Sequence, residues 1–181
     1  YNEYIHVGAL VKVLNTADGV IIVAGQNSYS INHGVSDSAM LMKIDKNGHV
    51  IWAKNFSRAY SSNVNDMIPS GDGGFFIVIT EGWGSGSTFS TVAKIDGNGN
   101  FVWKKEVVVS ASAPIFRSMT FDGKNLFIAS DDYSGNGILM IVKLDAASGN
   151  YIWSKNFVVN NQQLAVRSIQ TIADTVFIFY I

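Results

Sequence analysis

The sequence predicts an all-β repeat protein, and three observations carry that prediction. One stretch occurs three times, as Lys43-Ile44-Asp45-Lys46-Asn47-Gly48-His49-Val50-Ile51-Trp52, as Lys94-Ile95-Asp96-Gly97-Asn98-Gly99-Asn100-Phe101-Val102-Trp103, and as Lys143-Leu144-Asp145-Ala146-Ala147-Ser148-Gly149-Asn150-Tyr151-Ile152-Trp153. Its tryptophans, at 52, 103 and 153, stand 51 and 50 residues apart, a period that belongs to repeat architectures. Between turns, apolar residues alternate or run for a few positions, with no helical stripe. The only two prolines, Pro69 and Pro114, fall near the ends of strand candidates, where a missing N–H breaks no ladder.

Taken in order, residues 1–8 read as the last strand of a preceding unit, with Tyr4-Ile5-His6-Val7 at its centre. The first repeat, 9–58, has strand candidates at 9–14, 20–25, 39–44 and 50–56. Ala17-Asp18-Gly19 turns between the first two, and a Ser/Asn/Gly-rich loop over 26–38 joins the second to the third. Asp45-Lys46-Asn47-Gly48 is a hairpin signal, with Gly supplying positive φ. The second repeat, 59–109, follows the same plan: strands near 64–68, 75–80, 91–95 and 101–107, the turn Gly71-Asp72-Gly73-Gly74, and the loop 81–87 around Trp83. In the third, 110–159, strands fall at 115–121, 126–129, 138–144 and 151–157, with Asp122-Gly123 in the first turn. A half repeat, 160–181, has strands at 166–169 and 176–181 around Asp174.

Four short strands in about 50 residues form a small antiparallel sheet that cannot bury both faces alone. Stacking such sheets around an axis hides them, as in a β-propeller. The expected fold is therefore blades of four antiparallel strands, about three and a half of them, with Trp52, Trp103 and Trp153 as packing anchors. Closed propellers have about 4–8 blades. The expectation is thus a piece of a longer chain, or a homo-oligomer whose copies pair blades between chains.

The third copy of the stretch resembles the tryptophan-docking propeller repeats of pyrroloquinoline-quinone dehydrogenases and of the related lipoprotein of outer-membrane protein assembly, with Ser148 where that family has Thr. The first two copies have a turn one residue shorter. With Asp72-Gly73-Gly74-Phe75, they are similar to repeats of large secreted and surface proteins of Bacteroidetes-type bacteria. These resemblances imply a propeller, an extracellular or cell-surface location, and either a scaffold or part of a quinoprotein-like enzyme.

Composition narrows the function. Charged residues are 15% of the chain, against about 25% in typical domains, so the surface is mainly neutral Ser and Asn. A net charge of −1 with no lysine or arginine cluster argues against nucleic acid, which demands a basic patch. Absence of cysteine removes disulfides and thiolate chemistry. No apolar run reaches the ~18 residues of a membrane helix. Tyr1 is not an initiating methionine, so a processed or incomplete N-terminus is expected.

Candidate chemistry is sparse. Asp45, Asp96 and Asp145 could be calcium ligands, but a calcium loop spreads its oxygens over about twelve residues, and capping of the turn is the expected role. Asp18, Asp72, Asp122 and Asp174 have the same two readings. His6, His33 and His49 share no ligand spacing, and His49 fills a turn slot held elsewhere by Asn. No nucleophile elbow or phosphate loop is present. Arg117 and Arg167 hold matching places in first strands, where an anion or a structural pair could take them. Asn55-Phe56-Ser57 is a sequon, expected by chance in an Asn/Ser-rich chain. Tyr29, Trp83 and Tyr133 each lie between a second and third strand among small polar residues. Such aromatics stack on sugars or grip peptides when loops gather on one face, or else fold back over the rim. The sequence thus favours a non-enzymatic module with a protein or glycan partner, no cofactor and no metal.

Overall fold

The computed structural model describes residues 9–16, 20–31, 34–56, 61–82, 88–108, 114–131, 137–158, 165–173 and 175–181, and only the backbone at 9, 27–31 and 34–37. All described regular structure is β: fourteen strands and no helix. The first unit contains β1 (Ala9–Asn15), β2 (Ile21–Ile31), β3 (Gly34–Ile44) and β4 (Val50–Phe56). The second contains β5 (Ser61–Pro69), β6 (Phe75–Gly82), β7 (Thr88–Ile95) and β8 (Phe101–Val107). The third contains β9 (Phe116–Phe121), β10 (Asn125–Ser130), β11 (Ile138–Asp145) and β12 (Tyr151–Val158), and a hairpin of β13 (Val166–Ile172) and β14 (Thr175–Tyr180) follows. Within each unit consecutive strands pair antiparallel. Among the described residues a single parallel bridge, Asp37 to Ser61, joins the strands of the first two units, and no sheet closes on itself.

The central residues of β2, β6 and β10 are apolar because both faces of these strands are covered there. In β6, Phe75, Ile77 and Ile79 join Ile22, Ala24, Ala39, Leu41 and Phe56 of the first unit. The alternate residues Phe76 and Val78 join Phe116, Met119, Leu126 and Ile128 of the third. The pattern repeats in β10, whose Phe127 and Ala129 pack with Val166 and Ile169 of the hairpin. The core is thus three layers between successive units, and the period-2 alternation of a strand assigns each residue to one layer or the next.

One expectation is corrected. Residues 26–38 do not form a loop across their length: β2 and β3 continue as a long hairpin ladder, with Gln26 opposite Ala39 and Ile31 opposite Gly34. Ser and Asn are poor strand formers, yet each added rung satisfies backbone groups that a loop would leave to water. Likewise β6 continues to Gly82, inside the expected loop 81–87. The expected strand at 4–7 and the turn residues Asp18 and Asp174 lie outside the described residues.

A bulge recurs just before each tryptophan. The register shifts between Lys43 and Ile44 opposite Trp52 and Val50, and again at Lys94/Ile95 and Lys143/Leu144. The extra residue reverses the alternation. Phe101 therefore turns back to Phe56 of the first unit, with ring centroids 4.9 Å apart. Trp103, two residues on, points forward to the third unit, where its indole N–H meets Ala146.

Candidate functional site

The recurrent site is the seam where a tryptophan from one unit enters the Asp-Gly turn of the next. Each turn is built by its aspartate. Asp45 Oδ1 accepts the N–H groups of Asn47 and His49, both at 2.8 Å. Asp96 Oδ1 does the same for Asn98 and Asn100 at 2.9 and 2.8 Å. In the longer third turn Asp145 Oδ1 accepts the Ser148 N–H and hydroxyl at 2.8 and 2.6 Å. Bonds to the ionised form hold all three carboxyls below the usual range: chiefly the His49 amide for Asp45, the Asn100 amide for Asp96 and the Ser148 hydroxyl for Asp145. Gly48, Gly99 and Gly149 close the turns at φ of 88°, 78° and 71°, a region open to glycine at little cost.

Docking then follows. The Trp52 indole N–H donates to the Gly97 carbonyl at 3.3 Å, and that of Trp103 to the Ala146 carbonyl at 3.1 Å. Both acceptors are the residue after the turn aspartate. The indole rings lie against the turn glycines: a Cβ at Gly99 would stand 3.2 Å from the Trp52 ring, and one at Gly149 2.6 Å from Trp103. Trp153 packs edge-on to Phe127, centroids 6.1 Å apart, beside the hairpin layer. All three tryptophans are half-buried. Lys43 Nζ also reaches the Gly97 carbonyl at 3.2 Å, and Lys54 the Asn100 side chain at 2.7 Å.

A second seam joins the first strands. Buried Asp66 in β5 takes Lys12 Nζ of β1 at 2.8 Å through one oxygen. Its other oxygen accepts the Met119 N–H of β9 at 3.0 Å and the Ser118 hydroxyl at 3.3 Å. Ser118 Oγ in turn accepts the Ile169 N–H of β13 at 3.3 Å, and Thr120 Oγ1 the Thr171 N–H at 3.2 Å. Arg117 pairs with Asp131 at 2.7 Å, whose second oxygen accepts the Val166 N–H. The structural reading of Arg117 thus prevails over an anion site.

Glu81 is fully buried and held by Lys104 Nζ at 3.1 Å and the Thr91 hydroxyl at 3.2 Å. Asp72 pairs with Lys94 at 2.6 Å and accepts from Ser70. These two partners, Lys94 first, bring its carboxyl down to about 2. Asp122 accepts the N–H groups of Lys124 and Asn125. Its carboxyl lies below the usual range although burial, the largest influence, opposes that; the bonds from Asn125 and Lys124 and the charge of Lys143 together outweigh it. His49 is a solvated turn residue, 3.1 Å from Asp45.

Among the described residues no three His, Asp or Glu side chains are grouped to hold a metal, and the acceptors of the recurring aspartates already serve turn amides. A cavity of about 190 Å³ lies between Lys105–Val108 and the Gly149–Tyr151 turn, below the ~300 Å³ at which small-molecule sites begin. No helix among the described residues is long and apolar enough to cross a membrane. Of the three loop aromatics, Trp83 and Tyr133 lie outside the described residues. Tyr29 is described only as backbone, opposite Ser36 in the β2–β3 hairpin. Sequence reasoning missed Asp66, Glu81 and the docking role of Gly99 and Gly149. A charged residue at the centre of the first-strand segment Val64–Ile68, and a glycine at the end of every Asp turn, were the available signals. Compared with models of known protein families and with curated proteins, the chain matches none.

Proposed function

We propose that this chain is a non-catalytic structural and binding module of a secreted or cell-surface protein. Its units stack as propeller-type blades, with β1, β5, β9 and β13 nearest the axis. The observation that supports this most is the tryptophan seam, made twice with the same donor, the same acceptor position and the same glycine contact. Side chains able to do chemistry are spent on structure: Asp66 and Asp131 join neighbouring units, while Glu81 and the turn aspartates hold strands and turns within one unit. The partner is a protein or glycan, gripped by Tyr29 near the end of β2 and by Trp83 and Tyr133 from the segments between second and third strands.

Titration with pyrroloquinoline quinone and with calcium tests the class. The scaffold reading expects no saturable heat and no quinone absorbance carried with the protein; quinone binding that needs calcium overturns it in favour of a quinoprotein-type enzyme. Screening against immobilised glycans and peptides, with Trp83→Ala alongside, tests the binding segments. Retained ligand binding in that variant counts against them.

A further inference from the structure

We propose that the open Phe177–Phe179 face of the β13–β14 hairpin takes the open Leu10–Val13 face of β1 from a second copy of the chain, head to tail. The inference deepens the stacked-unit reading above and rests on it. Each internal layer is made by two matched pairs. The forward-facing pair is Ile22/Ala24 in the first unit, Phe76/Val78 in the second and Phe127/Ala129 in the third. The backward-facing pair that meets it is Val64/Met67, then Phe116/Met119, then Val166/Ile169. All twelve residues are 6% exposed or less.

The series has one unmatched pair at each end. Phe177 and Phe179 alternate with Val176 and Ile178, which pack back onto the third unit. They hold the forward positions yet are 42% and 52% exposed. At the other end Leu10 and Val13 hold the backward positions. Leu10 lies opposite Gly25 and Val13 opposite Val23, as Val64 and Met67 lie opposite Ile79 and Ile77. They are 62% and 56% exposed. The open part of that face is its β1 half, because Val23, Met40 and Met42 are buried. Two halves of one repeated interface, exposed on opposite faces of the described units, can complete each other between copies as a heterologous contact.

The polar seam runs the same way. Asp66 accepts the Met119 N–H, and Ser118 accepts the Ile169 N–H. Ser168 is next in that row, so its hydroxyl would accept the Val13 N–H of the second copy.

Light scattering across a dilution series of the 181-residue chain tests this. The wild type is expected to show a mass above that of one chain that falls on dilution. Phe177→Asp with Phe179→Asp, and separately Leu10→Asp with Val13→Asp, should each give single-chain mass. Mixed in equal amounts they should recombine through their intact faces as a pair and grow no further. Ser168→Ala should weaken the wild-type association by about tenfold. Should the aspartates unfold the hairpin, Phe179→Ser and Ser168→Ala carry the test. A wild type that stays at single-chain mass at its highest soluble concentration overturns the proposal, as does self-association unchanged in either double variant. Far-UV circular dichroism separates the two readings: native spectra with no association sink only this contact, whereas a wild-type spectrum without β structure sinks the stacked units themselves.

Discussion

Alanine at the three turn glycines should give a graded loss of stability, because the turns share a backbone and differ in what lies on them. Gly48, Gly99 and Gly149 all have left-handed φ, so each substitution carries a common conformational cost of about 1 kcal/mol. At Gly48 nothing lies within 4 Å of an added Cβ, and that cost is the whole effect. At Gly99 the methyl would stand 3.2 Å from the Trp52 ring and 3.1 Å from Lys54 Cδ, so a flexible lysine and a small ring shift should hold the extra cost below about 1 kcal/mol. At Gly149 the methyl would lie 2.6 Å from Trp103. The indole must leave, stretching its 3.1 Å bond to the Ala146 carbonyl and opening its layer. Overpacking of about 1–3 kcal/mol and a hydrogen bond worth about 1 kcal/mol then bring the total to roughly 3–5 kcal/mol. For a chain of this length about 1 kcal/mol moves Tm by roughly 2–4 °C. Gly48→Ala should therefore fall by a few degrees and Gly149→Ala by roughly 6 °C or more, with Gly99→Ala between. Urea unfolding followed by tryptophan fluorescence measures the series. Equal losses at all three positions, or the largest at Gly48, would refute docking of indoles on the turns.

Three further predictions follow from the polar seams. Asp66→Ala removes the acceptor of the Met119 N–H and the partner of Lys12, and should cost about 3 kcal/mol in urea unfolding, whereas Lys12→Ala should cost less, because the carboxylate it strands keeps its bonds from Met119 and Ser118. Asp72 has a folded pKa of about 2 against 3.8; a depressed carboxylate stabilises above the unfolded value and loses that contribution as pH falls through the folded one. Asp72→Asn should thus lose stability at pH 7, by less than about 1 kcal/mol because the pair is half in solvent, and should flatten the acid-induced loss between about pH 4 and pH 2; an unchanged acid profile contradicts the Lys94 pairing. Glu81→Leu should destabilise strongly through its stranded neighbour Lys104, and adding Lys104→Met should restore much of the loss; a thermal melt that the second change leaves unimproved argues against the pair.

Much of this architecture was legible in the chain. Twofold alternation, Asp-Gly turns and a recurring Trp are local signals, so β4 and β8 fall at the bounds the sequence suggests. The β2–β3 extension was not, because Gln26–Ser38 lacks β-branched residues at most positions and is held as strand by its partner, not by propensity. Nor could alternation alone place Phe101 and Trp103 on opposite faces: the bulge that separates them depends on the closing geometry of the Asp96 turn. Asp66 carried one local signal, a charge at the centre of an apolar strand segment, but its partners, like those of Glu81, lie about 20 to 50 residues away and are not given by its neighbours in sequence. The aromatics at 29, 83 and 133 remain sequence-level expectations.

The first two units each set an indole on the turn glycine of the next, and the α-proton chemical shifts of the three turn glycines test this most directly. Gly149 and Gly99 should each show an α-proton shifted upfield by the ring above it, and the Gly149 shift should vanish in Trp103→Ala. Gly48, with nothing within 4 Å of its added Cβ, should show an ordinary turn value. Three indistinguishable glycines, or a Gly149 shift that survives loss of Trp103, would contradict the account.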